Sequence, residues 1–335
     1  MQNQESETNG VEKSLQDSLS TDQKERADRP KQRMNTRLWA LVTLIAFLGG
    51  SFGGYFTGVH AHEADMENQA AAGQAKVAEL ARQVNPPDGY SVNVSFGEIG
   101  PQMLAAGAFR LDDFIQVYQQ AGQPLNEEQL QIVRDGSPAT VTFTRENAYF
   151  LLNFFWALGL TNKNPVLDEG PMVQNGREQA VNFASTGGWS LAARPVAELY
   201  SSTEIIKLTA EQQQRLEEVT QGVYRPCCDN PTHFPDCNHG MAMLGLLTLM
   251  AANDASVEEM FTAAKYANAY WYPSQTLELA QYFHAKEKVD FAEANSRELV
   301  GLNFSSISGF RNVHQYLADN GLLQQAPGGG NGCGV

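Results

Sequence analysis

The chain has 335 residues, a hydrophobic fraction of 42% and a formal net charge of −15. That length accommodates one large domain or two small ones, and the apolar content suffices for a sizeable core. Residues 1–37 carry seven acids and seven bases, so the whole charge excess belongs to residues 38–335; an acidic body of this kind argues against nucleic acid or anionic lipid headgroups as its main partner.

Residues 1–37 are rich in Gln, Ser, Asp and Lys and poor in large apolar groups, the composition of a disordered tail. Leu38–Val59 is a run of 22 residues without a formal charge, long enough to span a bilayer core of about 30 Å as a helix. Lys24, Arg26, Arg29, Lys31, Arg33 and Arg37 precede it, and the next Lys or Arg is Lys76. The positive-inside rule then places the N-terminus in the cytoplasm and everything beyond about residue 60 outside. A cleaved signal peptide is the competing reading, with small residues around Val59-His60-Ala61. Both the 37-residue leader and the 22-residue apolar run are long for one, so a retained single-pass anchor in a bacterial-type cell membrane is expected. Gly49 and Gly53 begin small-xxx-small patterns along the span, which would let two copies pack closely as a homo-oligomer.

Residues 60–85 read as a helical stalk ended by Pro86-Pro87-Asp88-Gly89. The folded body is expected over 90–322. Leu111, Phe114, Ile115 and Tyr118 share one helix face, Leu125–Val133 make another helix, and Ala139–Phe143 is strand-like. Glu146–Leu160 is almost wholly apolar and short for a membrane span, which fits a buried helix with Leu152 inside it. Asn153 within that run needs a hydrogen-bond partner and reads as a structural bracket. Turn formers recur through residues 161–208, the pattern of long ordered loops. Capping boxes at Thr209/Gln212 and Ser256/Glu259 start two helices, the second ending at Pro273. Asn238–Ala252 is a second apolar helix, with Leu247 in its core. A last helix near Phe310–Asn320 precedes a Gly-rich tail, residues 323–335, that carries Cys333. The fold class is therefore mainly α: a single-pass transmembrane anchor, then a largely helical extracytoplasmic domain with minor β and long ordered loops.

Three of the four cysteines fall in CCDNPTHFPDCNHGM, residues 227–241. Pro226, Pro231 and Pro235 stiffen this loop and lower the entropy cost of closing it. Cys237 stands at the start of the Asn238–Ala252 helix, where free N–H groups and the helix dipole favour a thiolate. His239 lies in the same turn and Met243 one turn on. Thiolate, imidazole and thioether donors suit a soft or borderline cation, copper or zinc. The expected site is Cys237 and His239 with Cys227 or Cys228, and Met243 and Cys333 as further donors. Two alternatives remain open on the same residues: a cell-surface interaction domain whose cysteines form disulfide staples, and a thiol-redox protein. His60, His62, His284 and His314 read as ordinary surface or packing histidines. No phosphate loop, GxSxG, HExxH or diagnostic carboxylate pair is present, so no catalytic residue is assigned.

Overall fold

The computed structural model describes Met66, Asn68 and residues 71–323. The N-terminal tail, the Leu38–Val59 anchor with Gly49 and Gly53, and the tail bearing Cys333 lie outside the described residues. Among the described residues no helix is long and apolar enough to cross a membrane. The chain divides into residues 1–72 and 73–335, and all that follows concerns the second unit.

That unit is mainly helical. Its longer helices are α1 (73–84), α2 (Ile99–Ala106), α3 (Leu111–Gln120), α4 (Glu127–Arg134), α5 (Ala148–Thr161), α6 (Ala210–Gly222), α7 (Asn238–Ala252), α8 (Val257–Trp271), α9 (Pro273–Tyr282) and α10 (Ile307–Asp319). Strands β1 (Tyr90–Gly97) and β2 (Ser137–Phe143) pair antiparallel, with Tyr90 opposite Phe143 and Gly97 opposite Ser137. Local chemistry sets several helix starts. Asn126/Gln129, Thr209/Gln212 and Ser256/Glu259 each form a complete capping box, at α4, α6 and α8, meeting N–H groups that the first turn leaves without partners.

Helices α5 and α7 lie at the centre. Nearly every residue of α5 is buried, as is the stretch of α7 from Gly240 to Ala251, because a helix apolar around its whole circumference is stable only inside. Their backbones touch. A Cβ placed on Gly159 would stand 2.1 Å from the Met241 carbonyl oxygen, and one on Gly245 would stand 2.3 Å from that of Phe155. Asn153 is the bracket expected of it: its Nδ2 donates to the Tyr118 hydroxyl at 2.9 Å, joining α5 to α3.

The observed elements differ from the sequence reading in three places. The end of the stalk is part of the body, since Leu80 and Val84 are in the core and Asn85 Nδ2 donates to the Ala269 carbonyl at 3.0 Å. Strand β1 was not expected, although Val92, Val94 and Phe96 alternate inward along it. Pro273 ends α8 but also opens α9, as its first helical residue, a position where the missing N–H costs nothing. The loops of 161–208 are ordered through short helical turns at Pro165–Asp168, Ala184–Gly187 and Val196–Leu199, with 3-10 turns between.

The glycine crossing yields a stability prediction. Gly159→Ala or Gly245→Ala must push one backbone off the other, and overpacking of this kind should lower stability by about 3 kcal/mol. In a folded unit of this size that corresponds to a fall in Tm of roughly 6–12 °C. Thermal unfolding of the two variants checks it; melting within a degree of the parent would show that the helices separate freely.

Candidate metal centre

The cysteines sit in the connection between α6 and α7. This loop folds back onto its own beginning: the Thr232 N–H and hydroxyl both donate to the Val223 carbonyl, at 2.8 and 3.1 Å, and the His233 N–H donates to the Thr220 carbonyl at 2.9 Å. Asn268 Nδ2 on α8 holds the Tyr224 carbonyl at 2.9 Å. On the far side, the Ile307 N–H donates to the Cys228 carbonyl at 3.0 Å. The Ser308 N–H and hydroxyl donate to the Asp229 carboxylate at 2.9 and 2.7 Å. The cysteine loop and the first turn of α10 thus cap each other.

Arg225 is the pivot, with a side chain only 1% exposed. Nη2 donates to Asp236 Oδ1 at 2.7 Å and to the Phe234 carbonyl at 3.3 Å, while Nη1 donates to the Asn230 carbonyl at 2.8 Å. Nε donates to Cys237 Sγ at 3.1 Å. Asp236 is held in turn by Asn230 Nδ2, at 2.9 Å from Oδ2. A Cβ on Gly240 would come within 2.5 Å of Arg225 Nη2, so glycine at that position lets the guanidinium lie against the first turn of α7. A buried charge is tolerated only when paired and hydrogen-bonded, and here each guanidinium nitrogen has a partner.

Around this cation stand the three sulfurs. Cys237 is the N-cap of α7, and its Sγ accepts from the Gly240 N–H at 3.4 Å. Cys227 Sγ lies 3.4 Å from Cys237 Sγ and 3.9 Å from Cys228 Sγ. All three sulfurs fall within 4.8 Å of one another, close enough to hold one metal ion. None of the three is bridged. Hydrogen bonds from the thiols of Cys227 and Cys228 hold Cys237 well below the usual thiol range, with Arg225 adding to the effect against the cost of burial. Cys228 is raised, chiefly by its bond with Cys227. The arrangement is one thiolate supported by two thiols. The sulfurs act back on Arg225: burial works to lower its pKa, and their field outweighs that and raises it.

The other expected donors are placed differently. His239 lies over Tyr272, ring centroids 4.4 Å apart. Its Nδ1 faces Asn238 Oδ1 at 2.9 Å, which puts the proton of the neutral ring on Nδ1 and leaves the lone pair on Nε2. Burial lowers its pKa to about 4. The ring nitrogens of His239 are not part of the 4.8 Å sulfur group. Met243 is fully buried within α7. His233 faces the Thr220 hydroxyl, and His284 and His314 pair with Asp290 and Glu278 away from the loop.

Two residues that the sequence reading passed over belong to the site. Arg225 is one, adjacent to the cysteines in sequence. Tyr272 is the other: it is 3% exposed, and its hydroxyl makes no well-aligned hydrogen bond although Cys227 lies close enough to act on it. Burial, then the charges of Cys227 and Cys237, push its pKa well above the phenol range, so the hydroxyl keeps its proton and stands beside the sulfurs as a potential donor.

Protein-family models, curated proteins and solved structures offer no match to this chain, so the reading of the site rests on its own geometry.

The thiolate has a pH signature. A cysteine held below its unfolded value of about 8.5 contributes stability that is fully present above that pH and is lost as pH falls through the folded value. Reduced protein at pH 7 should absorb at 240 nm as one thiolate, and Cys237→Ser should remove that band. The stability difference between parent and variant should shrink on acidification from pH 9 to 5. A difference that grows instead would mean that Cys237 is protonated in the folded state.

Proposed function

We propose that this protein binds one soft or borderline metal ion, copper or zinc, through Cys227, Cys228 and Cys237. The site belongs to an extracytoplasmic body tethered to the cell membrane by Leu38–Val59. The observation that carries the metal reading is the convergence of three unbridged sulfurs within 4.8 Å at the mouth of a buried helix. Thiolates are the donors that select copper(I) and zinc over hard cations. The tether and its orientation are supported by sequence alone, through the charge-free run and the basic residues confined to its N-terminal side. Binding by a chain so anchored would serve metal sensing, delivery or local structure outside the cytoplasm.

A thiol-redox protein is the second reading, favoured by one contact. Cys227 Sγ is 3.4 Å from the Cys237 thiolate, and that pair could close a disulfide when a substrate disulfide is reduced. Against it, the activated sulfur is the most deeply set of the three and is held by the buried Arg225, where an attacking nucleophile has to be accessible.

Full-length protein, purified anaerobically in detergent with reductant, should take up about one equivalent of copper(I) or zinc. Metal at 100 times its Kd should stabilise the fold by about 2.7 kcal/mol. Cys237→Ser should abolish both effects and His284→Ala neither; metal content and melting are the measurements. Protein that takes up no metal but is oxidised by a low-molecular-weight disulfide, losing two thiols, would replace this reading with the redox one. In a bacterial host, protease added outside the cytoplasmic membrane should digest the body and spare a tag at residue 1; a protected body would overturn the orientation.

A further inference from the structure

Away from the cysteine loop, one cleft on the body stands apart in its charge. It lies between α1, the end of α8 and the start of α9, with a volume of about 520 Å³, inside the range of roughly 300–1,000 Å³ typical of small-molecule sites. Val84 and Tyr270 are its buried members, and Ala78, Ala81 and Leu277 continue the apolar lining. Arg82 and Arg145 line it too, both exposed, and no Asp or Glu does. The body carries the whole of the chain's charge of −15, so two cations and no anion beside an apolar hollow run against its general trend. Other clefts follow that trend. The one along β1 is lined by Asp254, Glu258 and Glu259, and the one beside α4 by Glu128 and Glu146.

The two arginines are held differently. Arg82 Nη2 donates to Glu79 Oε2 at 2.5 Å, an exposed pair of the kind that contributes little. Arg145 forms no ion pair among the described residues. The N-terminus of α9 adds to their field. Ser274 of its first turn lines the cleft, and that turn has neither a capping side chain nor an acidic residue, so its open N–H groups and the helix dipole favour an anion. An apolar hollow gains by taking hydrocarbon out of water, and a guanidinium pairs with carboxylate or phosphate through two parallel N–H bonds. A small polar anion would leave the apolar walls wet, and a cationic amphiphile would meet two like charges.

We propose that this cleft binds an anionic amphiphile, a single alkyl chain with a carboxylate or phosphate head. The chain lies along Val84, Tyr270 and Leu277, and the head is held by Arg145 at the first turn of α9. The site shares no residue with the sulfur cluster, so it stands or falls independently of the metal reading.

The test uses full-length protein in an uncharged detergent, crosslinked to photoactivatable palmitate, with the labelled peptides sequenced. Labels should map to residues 78–85 and 270–277. Unlabelled palmitate should displace the probe, whereas hexadecylamine, equal in chain and opposite in charge, should not. Arg145→Glu should weaken labelling by about tenfold, the worth of one hydrogen bond to a charged group. Ala78→Trp, which fills the cleft from an exposed position, should weaken it as much. Neither position is in the core, so both variants should melt with the parent, which separates loss of the site from loss of the fold. Hexadecyl phosphate decides the head: displacement extends the site to phosphates, and failure to displace confines it to carboxylates. Absence of label from both segments, displacement by hexadecylamine as effective as by palmitate, or undiminished labelling in Arg145→Glu overturns the proposal.

Discussion

The rest of the body is arranged around one contact, the crossing of two apolar helices at bare backbone. Gly159 and Gly245 let α5 and α7 approach until a single methyl group would collide with a carbonyl. Close-packed interiors do not deform smoothly, so this contact fixes the axial position of α7 against α5. The first turn of α7 carries Cys237, and Met241 supplies the carbonyl beneath Gly159. The sulfur cluster therefore inherits its position from the tightest point of the core.

Arg225 plays the corresponding part within the loop. Its guanidinium bonds two carbonyls of the loop, a carboxylate and a sulfur, so a stretch with little regular structure is gathered around one buried charge. Burying a cation is expensive, and removing one partner of such a network is usually far more destabilising than replacing the whole. The Asp236 carboxylate balances the single charge of the guanidinium, and the same guanidinium favours the thiolate form of Cys237. A Cys237 thiolate would give the guanidinium a second anionic partner at Nε, beside the carboxylate at Nη2.

Much of this was legible in the sequence because it is written in local rules. The capping boxes at Thr209 and Ser256, the apolar circumference of Glu146–Leu160 and Asn238–Ala252, and the need of Asn153 for a partner each follow from a few neighbouring residues. Spacing and the proline-stiffened loop pointed to Cys237 with one of Cys227 or Cys228; that both of the adjacent cysteines join it is visible only in the fold. The rest depends on contacts between distant segments. Tyr272 reaches the site from the end of α8, and its Tyr-Trp-Tyr run reads as ordinary packing. Arg225 looks like a surface residue until Gly240 is seen to make room for it. Strand β1 carried a usable signal in the alternation of Val92, Val94 and Phe96, but its polar residues and terminal glycine resemble a loop. For His239, the spacing that brings it near the cysteines says nothing of the side chain's direction, which Tyr272 and Asn238 decide.

The mutual capping of the cysteine loop and α10 has a consequence for the order of events in the life of the chain. The Ser308 hydroxyl that binds Asp229 lies 79 residues further along, and the Ile307 N–H that holds the Cys228 carbonyl lies next to it. A nascent polypeptide emerging from its N-terminus presents all three thiols well before the segment that completes their enclosure has been made. During that interval the loop lacks its outer fastening. The finished loop is thus a late product of synthesis, since its outer hydrogen bonds wait for Ile307 and Ser308.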